Sequence, residues 1–280
     1  MVLMLLFCTF TVVFSLCRRA ESRKVSASDE KTVPVPIIMY HSVCDKTYVS
    51  PKYIVSPAMF ENDMKYLKEH GYTAVFIKDL DSFVNGKSDL PEKPVIITLD
   101  DGFLNNLTNA LPILKKYGMK AVVSAVGEFT EENSKINDRN PSYAYLTFDD
   151  IKSLYDSSVI EIGNHTYAMH RLKGRKGCSK NPGESTDEYR KVLKADLERM
   201  QNLMADRCGV TPYIFTYPYG YMSKEGDEVI KDLNFTAALT CTEKINYIKK
   251  GSSLMSLCRF NRPSTISTEN FMKKIKAPEK

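Results

Sequence analysis

Residues 95–102 read VIITLDDG. An apolar, β-branched run that stops abruptly at two adjacent carboxylates and a glycine reads as a buried strand delivering charge to its C-terminal edge. That edge is where α/β enzymes keep their chemistry. Neighbouring side chains on an extended backbone point to opposite faces, so Asp100 and Asp101 are expected to do different jobs. One can bind a metal while the other takes a proton. Equally, Asp100 can cap the following helix and Asp101 can be merely solvated. The pair alone does not choose between these readings.

Outward from this stretch, strands and helices alternate. Residues 37–39 form a short apolar strand ending in Tyr40 and His41. Ser56 and Pro57 supply an N-cap and a first-turn proline for a helix with Phe60, Met64 and Leu67 at helical spacing, closed by Gly71. Residues 73–77 read as a strand. After the central strand, Leu104, Leu107, Leu111 and Leu114 line one face of a helix ended by Gly118, and Pro112 inside it predicts an interrupted hydrogen-bond ladder or a late start. Residues 120–126 are a strand, and Thr147 with Asp150 is a capping box opening a helix with Ile151 and Leu154.

Residues 159–163 are another strand, running into Asn164, His165 and Thr166. Residues 171–183 are basic and glycine-rich, a surface loop. Ser185 with Glu188 then caps an amphipathic helix whose buried face is Tyr189, Val192, Leu193, Leu197, Met200 and Met204. Residues 213–217 form a strand leading into Pro218, Tyr219 and Gly220. A helix over 227–233, strands near 235–240 and 254–260, and a last helix after Thr268 complete the chain. This alternation, without a linker-like break, predicts a single-domain α/β fold over 34–280, a distorted (β/α) barrel with about seven or eight mostly parallel strands.

Composition narrows the function. The chain has 280 residues, 43% hydrophobic, with a formal charge of +5, enough by length for one large α/β domain or two small ones, with a full core. No dense basic block interleaved with aromatics appears, so nucleic acid is not an expected partner. Residues 1–16 are nearly all apolar and are followed by Arg18, Arg19, Arg23 and Lys24, which reads as a signal peptide or membrane anchor within 1–20. The basic residues on its C-terminal side, with none before it, depart from the usual signal pattern. A lipoprotein reading through Cys17 is weak, because Leu16 is larger than the small residue normally found there. Residues 21–33 read as a polar tether. A secreted or cell-surface monomer is expected, meeting the membrane only through residues 1–16. Beyond the leader, Cys44, Cys178, Cys208, Cys241 and Cys258 include no CxxC pair, so small buried hydrophobes are expected rather than a disulfide framework or thiolate zinc site.

A barrel gathers the C-terminal ends of its strands, so His41, Asp100, Asp101, His165 and Tyr219 can surround one pocket. His70, at a helix C-terminus, reads as a dipole partner instead. His165 and His170 are five residues apart, roughly 140° around a continuous helix, and share an ion only across a turn. A carboxylate with two imidazoles suits a divalent transition metal of the zinc type. The competing reading makes His165 a hydrogen-bonded strand-end residue and His170 an exposed loop residue.

TLDDG, then HTYAMH, then FTYPYG, in that order and at matching strand ends, resembles the polysaccharide deacetylases of carbohydrate esterase family four. The resemblance implies that Asp101, His165 and His170 hold the metal, zinc with cobalt or nickel as alternatives, and that Asp100 is the base. It also implies that the backbone N–H of Tyr219 polarises the substrate carbonyl. The spacing of the histidine pair and the IMYHSV strand are most similar to deacetylases of exported poly-β-1,6-N-acetylglucosamine, which makes His41 the candidate general acid. Thr216 stands where the family's third motif usually has an arginine that orients the base, and Arg259 on the last strand is the candidate substitute. The implied substrate is an N-acetylglucosamine polymer at the cell surface. Alternatives are peptidoglycan or chitin-oligomer deacetylation, O-acetyl ester hydrolysis, and non-catalytic carbohydrate binding.

Overall fold

Strand pairing in the computed structural model, which describes residues 32–276, follows the order of the apolar runs. The strands are β1 (Val33–Val35), β2 (Ile37–Tyr40), β3 (Ser42–Val43), β4 (Ile54–Val55), β5 (Thr73–Ala74), β6 (Pro94–Asp101), β7 (Ala121–Ala125), β8 (Ile160–Asn164), β9 (Ile214–Thr216), β10 (Ala237–Leu239), β11 (Asn246–Ile248) and β12 (Phe260–Asn261). The main sheet runs β10-β9-β8-β7-β6-β2-β12, with β5 also pairing β6, and every pairing in it is parallel. The sheet curls, and hydrogen bonds from Thr240 N–H to Leu257 C=O (2.9 Å) and from Leu257 N–H to Ala238 C=O (2.8 Å) tie the β10 end to the segment that leads into β12. The result is the expected distorted (β/α) barrel.

Alternation along the strands sorts the core. Ile37, Ile96, Val122, Ile214 and Leu239 pack together inside the barrel, while Ile38, Ile97 and Val123 pack outward against Phe60, Met64 and Leu114 of the helices. Both faces of β6 are therefore covered, which is why its sequence is an unbroken apolar run rather than an alternating one. Above the apolar plug lies a buried polar level, Thr98, Ser124 and Thr216, with Ser124 Oγ and Thr216 Oγ1 sharing a 2.7 Å hydrogen bond. Asp100 is the next inward position on β6.

The predicted caps form: Ser56, Thr147 and Ser185 each accept a backbone N–H in the first turn of their helices. Four expectations need correction. Only Thr73–Ala74 of residues 73–77 is strand, because Ile77 opens the helix Ile77–Val84, capped at long range by Glu161 accepting the N–H groups of Ile77 (2.8 Å) and Lys78 (3.2 Å). The helix Gly127–Ile136 was not expected, since its sequence is too polar to show an apolar stripe. Val192 is half exposed, and Gln201 and Cys208 complete the buried face of Thr186–Cys208 instead. Of residues 254–260 only Phe260 lies in a regular strand, as the first residue of β12.

Cys44, Cys178 and Cys208 are buried as expected, whereas Cys241 and Cys258 are partly exposed; all five are free thiols. Val33 belongs to β1, paired antiparallel with β11. The leader and anchor readings of residues 1–20, the lipoprotein reading through Cys17 and the tether up to residue 31 lie outside the described residues. Among the described residues, no helix is long and apolar enough to cross a membrane.

Candidate active site

The C-terminal ends of the strands surround a cavity of about 520 Å³, lined among others by His41, Asp100, Asp101, His165, His170 and Tyr219. Two adjacent carboxylates share it because the backbone turns at Asp101. Its φ is 71°, a left-handed conformation, so the side chain that strict alternation would send outward is re-aimed into the cavity. Gly102 follows with φ 73°, and a Cβ there would lie 2.9 Å from the Cβ of Ala125, so this turn requires glycine.

His165 leaves β8, and the connector to His170 folds back as a turn. Thr166 has φ 71° and donates its N–H to Asn164 Oδ1 (2.8 Å). Its Oγ1 accepts the N–H of Met169 (3.2 Å). From the helix Thr186–Cys208, Asp196 accepts the N–H groups of Tyr167 (2.7 Å) and Ala168 (2.8 Å). No local pattern marks Asp196 for this role, because its partners come from a distant loop. The turn brings both Nε2 atoms to Asp101 Oδ1, at 3.5 Å for His165 and 3.1 Å for His170. One ligand atom from each of the three residues lies within 4.8 Å of the others.

The chemistry of this donor set fits a cation. The Nδ1 of His165 lies 2.8 Å from the C=O of Thr216, a contact that requires Nδ1–H and leaves Nε2 with its lone pair toward Asp101. Asp101 Oδ1 is buried and takes no hydrogen bond of good geometry, so three electron-rich atoms face one point. Burial alone would raise the pKa of Asp101, but the facing imidazoles hold it well below the usual carboxylate range. Burial works to lower the pKa of His165, and Asp101 and Asp100 outweigh it and raise the value. Protons and a cation therefore compete for this imidazole. The Nδ1 of His170 pairs with the hydroxyl of Tyr219 at 3.2 Å.

Asp100 takes a separate partner. Arg259 donates from Nη1 to Oδ1 (2.7 Å) and from Nη2 to Oδ2 (2.8 Å), and its Nε donates to the C=O of Thr240 (2.8 Å). Asp100 is 2% exposed and Arg259 is fully buried. Burial pushes the Asp100 pKa up, and the guanidinium charge and His165 more than reverse it, so the carboxylate stays ionised. Thr216 supplies its carbonyl to His165 and its hydroxyl to Ser124, and the arginine comes from the other end of the sheet.

His41, just past β2, presents its ring to the cavity edge-on to Tyr53, with centroids 4.8 Å apart. Burial lowers its pKa despite the opposing charges of Asp101 and Asp100. Tyr219 sits on a turn with φ 57° and is 40% exposed, its ring tilted against His170 at 4.5 Å. All seven residues selected from the sequence thus meet around one cavity or directly behind it. His70 stays apart, as expected: it caps the helix Pro57–Glu69, with Nδ1 2.8 Å from the C=O of Tyr66. The hydroxyl of Tyr219 and the cavity residues Lys52 and Glu243 were not singled out, since no spacing rule marks them.

The family profile described as polysaccharide deacetylase matches residues 87–238. The chain belongs to the polysaccharide deacetylase family. Among curated members it is similar to the poly-beta-1,6-N-acetyl-D-glucosamine N-deacetylase of Escherichia coli K12, 24% identical over 246 residues, covering 81% of this chain and 37% of that protein. It is also similar to the protein of the same name from Staphylococcus aureus MRSA252, 28% identical over 194 residues, covering 69% of this chain and 62% of that one. The match thus spans between about a third and two-thirds of these relatives' length. A solved de-N-acetylase from Aggregatibacter actinomycetemcomitans superimposes with a TM-score of 0.73 at 25% identity, over 86% of this chain and 99% of that chain.

Proposed function

We propose that this chain is a metal-dependent hydrolase that removes N-acetyl groups from N-acetylglucosamine residues of a cell-surface polysaccharide, with poly-β-1,6-N-acetylglucosamine as the substrate. The observation that carries the reading is the pairing of two charge sites in one cavity. The donors Asp101, His165 and His170 converge on one point, and beside them the ionised Asp100 is clamped by Arg259. The names of the two curated relatives support the choice of polymer.

An acetamide is a poor electrophile, and its amine leaves badly unless protonated. A divalent cation held by Asp101, His165 and His170, with zinc the first choice and cobalt or nickel alternatives, supplies Lewis-acid polarisation and acidifies water. Asp100 takes the proton of the attacking water, and Arg259 keeps Asp100 ionised and aimed for that task. The backbone N–H of Tyr219 donates to the acetyl oxygen as negative charge develops there. His41 gives a proton to the sugar nitrogen as the C–N bond breaks, releasing acetate and a free amino sugar. The leader reading of residues 1–20 suits a polymer outside the cell.

The test is acetate release from poly-β-1,6-N-acetylglucosamine oligomers by the full chain, with chelator and then with zinc or cobalt restored. Release that stops with chelator and returns with metal is the expected result. No release with any of these metals, with peptidoglycan and chitin oligomers also inert, would overturn the proposal.

A further inference from the structure

The helix that follows Gly102 does not run in α register throughout. Asn106–Ala110 is a π-helical turn, in which the N–H of Leu111 donates to the C=O of Asn106, five residues back, before Leu111–Tyr117 continues as α-helix. Pro112 stands where the ladder resumes and lacks the N–H that an unbroken α register would use. Each π turn inserts an extra residue and rotates the preceding side chains relative to the rest of the helix, and such turns concentrate at functional sites.

Here the rotated side chains are three asparagines, and all three hold the segment that leaves β2. Asn106 Nδ2 donates to the C=O of His41 at 2.9 Å. Asn105 Oδ1 accepts the N–H of Val43 at 2.8 Å, and its Nδ2 donates to Ser42 Oγ at 2.9 Å. Asn109 Nδ2 donates to the C=O of Val43 at 2.8 Å. The pairing of β2 with β6 ends at Tyr40 opposite Leu99, so these amides take over where the sheet stops. A neutral amide offers donors and an acceptor together, which lets it stand in for backbone without burying a charge.

The imidazole of His41 has no comparable anchor. Its Nδ1 is buried without a hydrogen-bond partner, and its described ring contact is the edge-on one with Tyr53. The ring's place in the cavity is therefore inherited from the backbone beneath it. We infer that Asn106, supported by Asn105 and Asn109, is a positioning residue for His41, and that the π turn is the device that aims the three amides at this segment. The inference rests on the proposed role of His41 as proton donor. It also ties that donor to Asp100 and Asp101, because the turn lies in the first helix after the strand that carries both carboxylates, with four residues between strand and turn.

The test is Asn106→Ala, alone and combined with His41→Ala, with kcat, KM, zinc affinity and thermal unfolding measured for each. Loss of position lowers kcat roughly ten- to a hundredfold with KM and zinc affinity nearly unchanged. In the His41→Ala background the same substitution has almost no further effect on kcat. An equal loss in both backgrounds would overturn the inference. A readout free of turnover is the ¹H–¹⁵N spectrum of the His41 ring, assigned by its disappearance in His41→Ala. One sharp set of signals in the native chain and several broadened ones in Asn106→Ala are expected; unchanged signals would reject the clamp even if the native chain releases no acetate. Should Asn106→Ala fail to fold, the part-exposed Asn109→Ala removes one bond of the three-residue clamp and carries the same expectations in smaller degree.

Discussion

Arg259 holds Asp100 through two parallel hydrogen bonds, Nη1 to Oδ1 at 2.7 Å and Nη2 to Oδ2 at 2.8 Å, across 159 residues of sequence. Both side chains are buried, and the guanidinium has further acceptors in Thr98 Oγ1 and the C=O of Thr240. A buried ion pair of this geometry is costly to break from one side, because the remaining charge has no water to turn to. Arg259→Ala is therefore expected to destabilise the fold by about 3–5 kcal/mol, read by urea unfolding. Arg259→Lys keeps the charge and loses the fork, so it should keep more stability than the alanine variant while still lowering kcat. Native-like unfolding of Arg259→Ala would show that the pair contributes nothing.

The two adjacent aspartates should separate cleanly by substitution. Asp100→Asn removes the proposed base and leaves the three converging donors in place, so turnover is lost while zinc still binds. His165→Ala removes a donor, so both are lost. Isothermal titration with zinc beside an acetate assay distinguishes the two, and a fully active Asp100→Asn enzyme would sink the assignment of the base.

Acid stability follows from the same pair. The folded-state pKa of Asp100 lies below its ordinary value of 3.8, so folded chains hold the ionised form more tightly than unfolded ones. The stabilisation is fully present above the unfolded pKa and is lost as pH falls through the lowered folded value. Asp101 is shifted in the same direction. Asp100→Asn should flatten part of the decline in unfolding free energy below about pH 4, while equal slopes in the two proteins would contradict the shift.

The sequence made the barrel legible because three of its apolar strands end in distinctive polar groups: His41 after β2, Asp100 and Asp101 on β6, His165 after β8. Parallel topology then gathers those ends without any knowledge of side-chain contacts. What stayed hidden depends on distant partners. The helix Ile77–Val84 is capped by Glu161, 84 residues away from Ile77, and the connector between His165 and His170 is held by Asp196. Pro112 did announce an interrupted helix, but nothing local said that the interruption would be a π turn or that its asparagines would grip the segment after β2. Arg259 was selected for the gap left by Thr216, and its bidentate geometry emerges only from the folded sheet.

Tyr219 offers a test of how the cavity orients its own donors. Its backbone is left-handed, with φ 57°, and Gly220 follows with φ 71°, where a Cβ would lie 2.8 Å from the Cβ of Cys241. Such strain in a tyrosine persists only when the surroundings hold it, and here it sets the hydroxyl 3.2 Å from Nδ1 of His170. The opposite donor, His165, gets the same service from the carbonyl of Thr216. Partners of this kind fix the tautomer of a metal-binding imidazole, and losing one commonly weakens affinity roughly 10- to 100-fold. Tyr219→Phe removes the hydroxyl and keeps both the ring and the backbone N–H, so zinc affinity should fall by that order while the fold is unchanged. The competition is measured with a fluorescent chelator at fixed pH. An affinity equal to the native value would mean that Nδ1 of His170 is oriented without the tyrosine, leaving Tyr219 to act through its backbone alone.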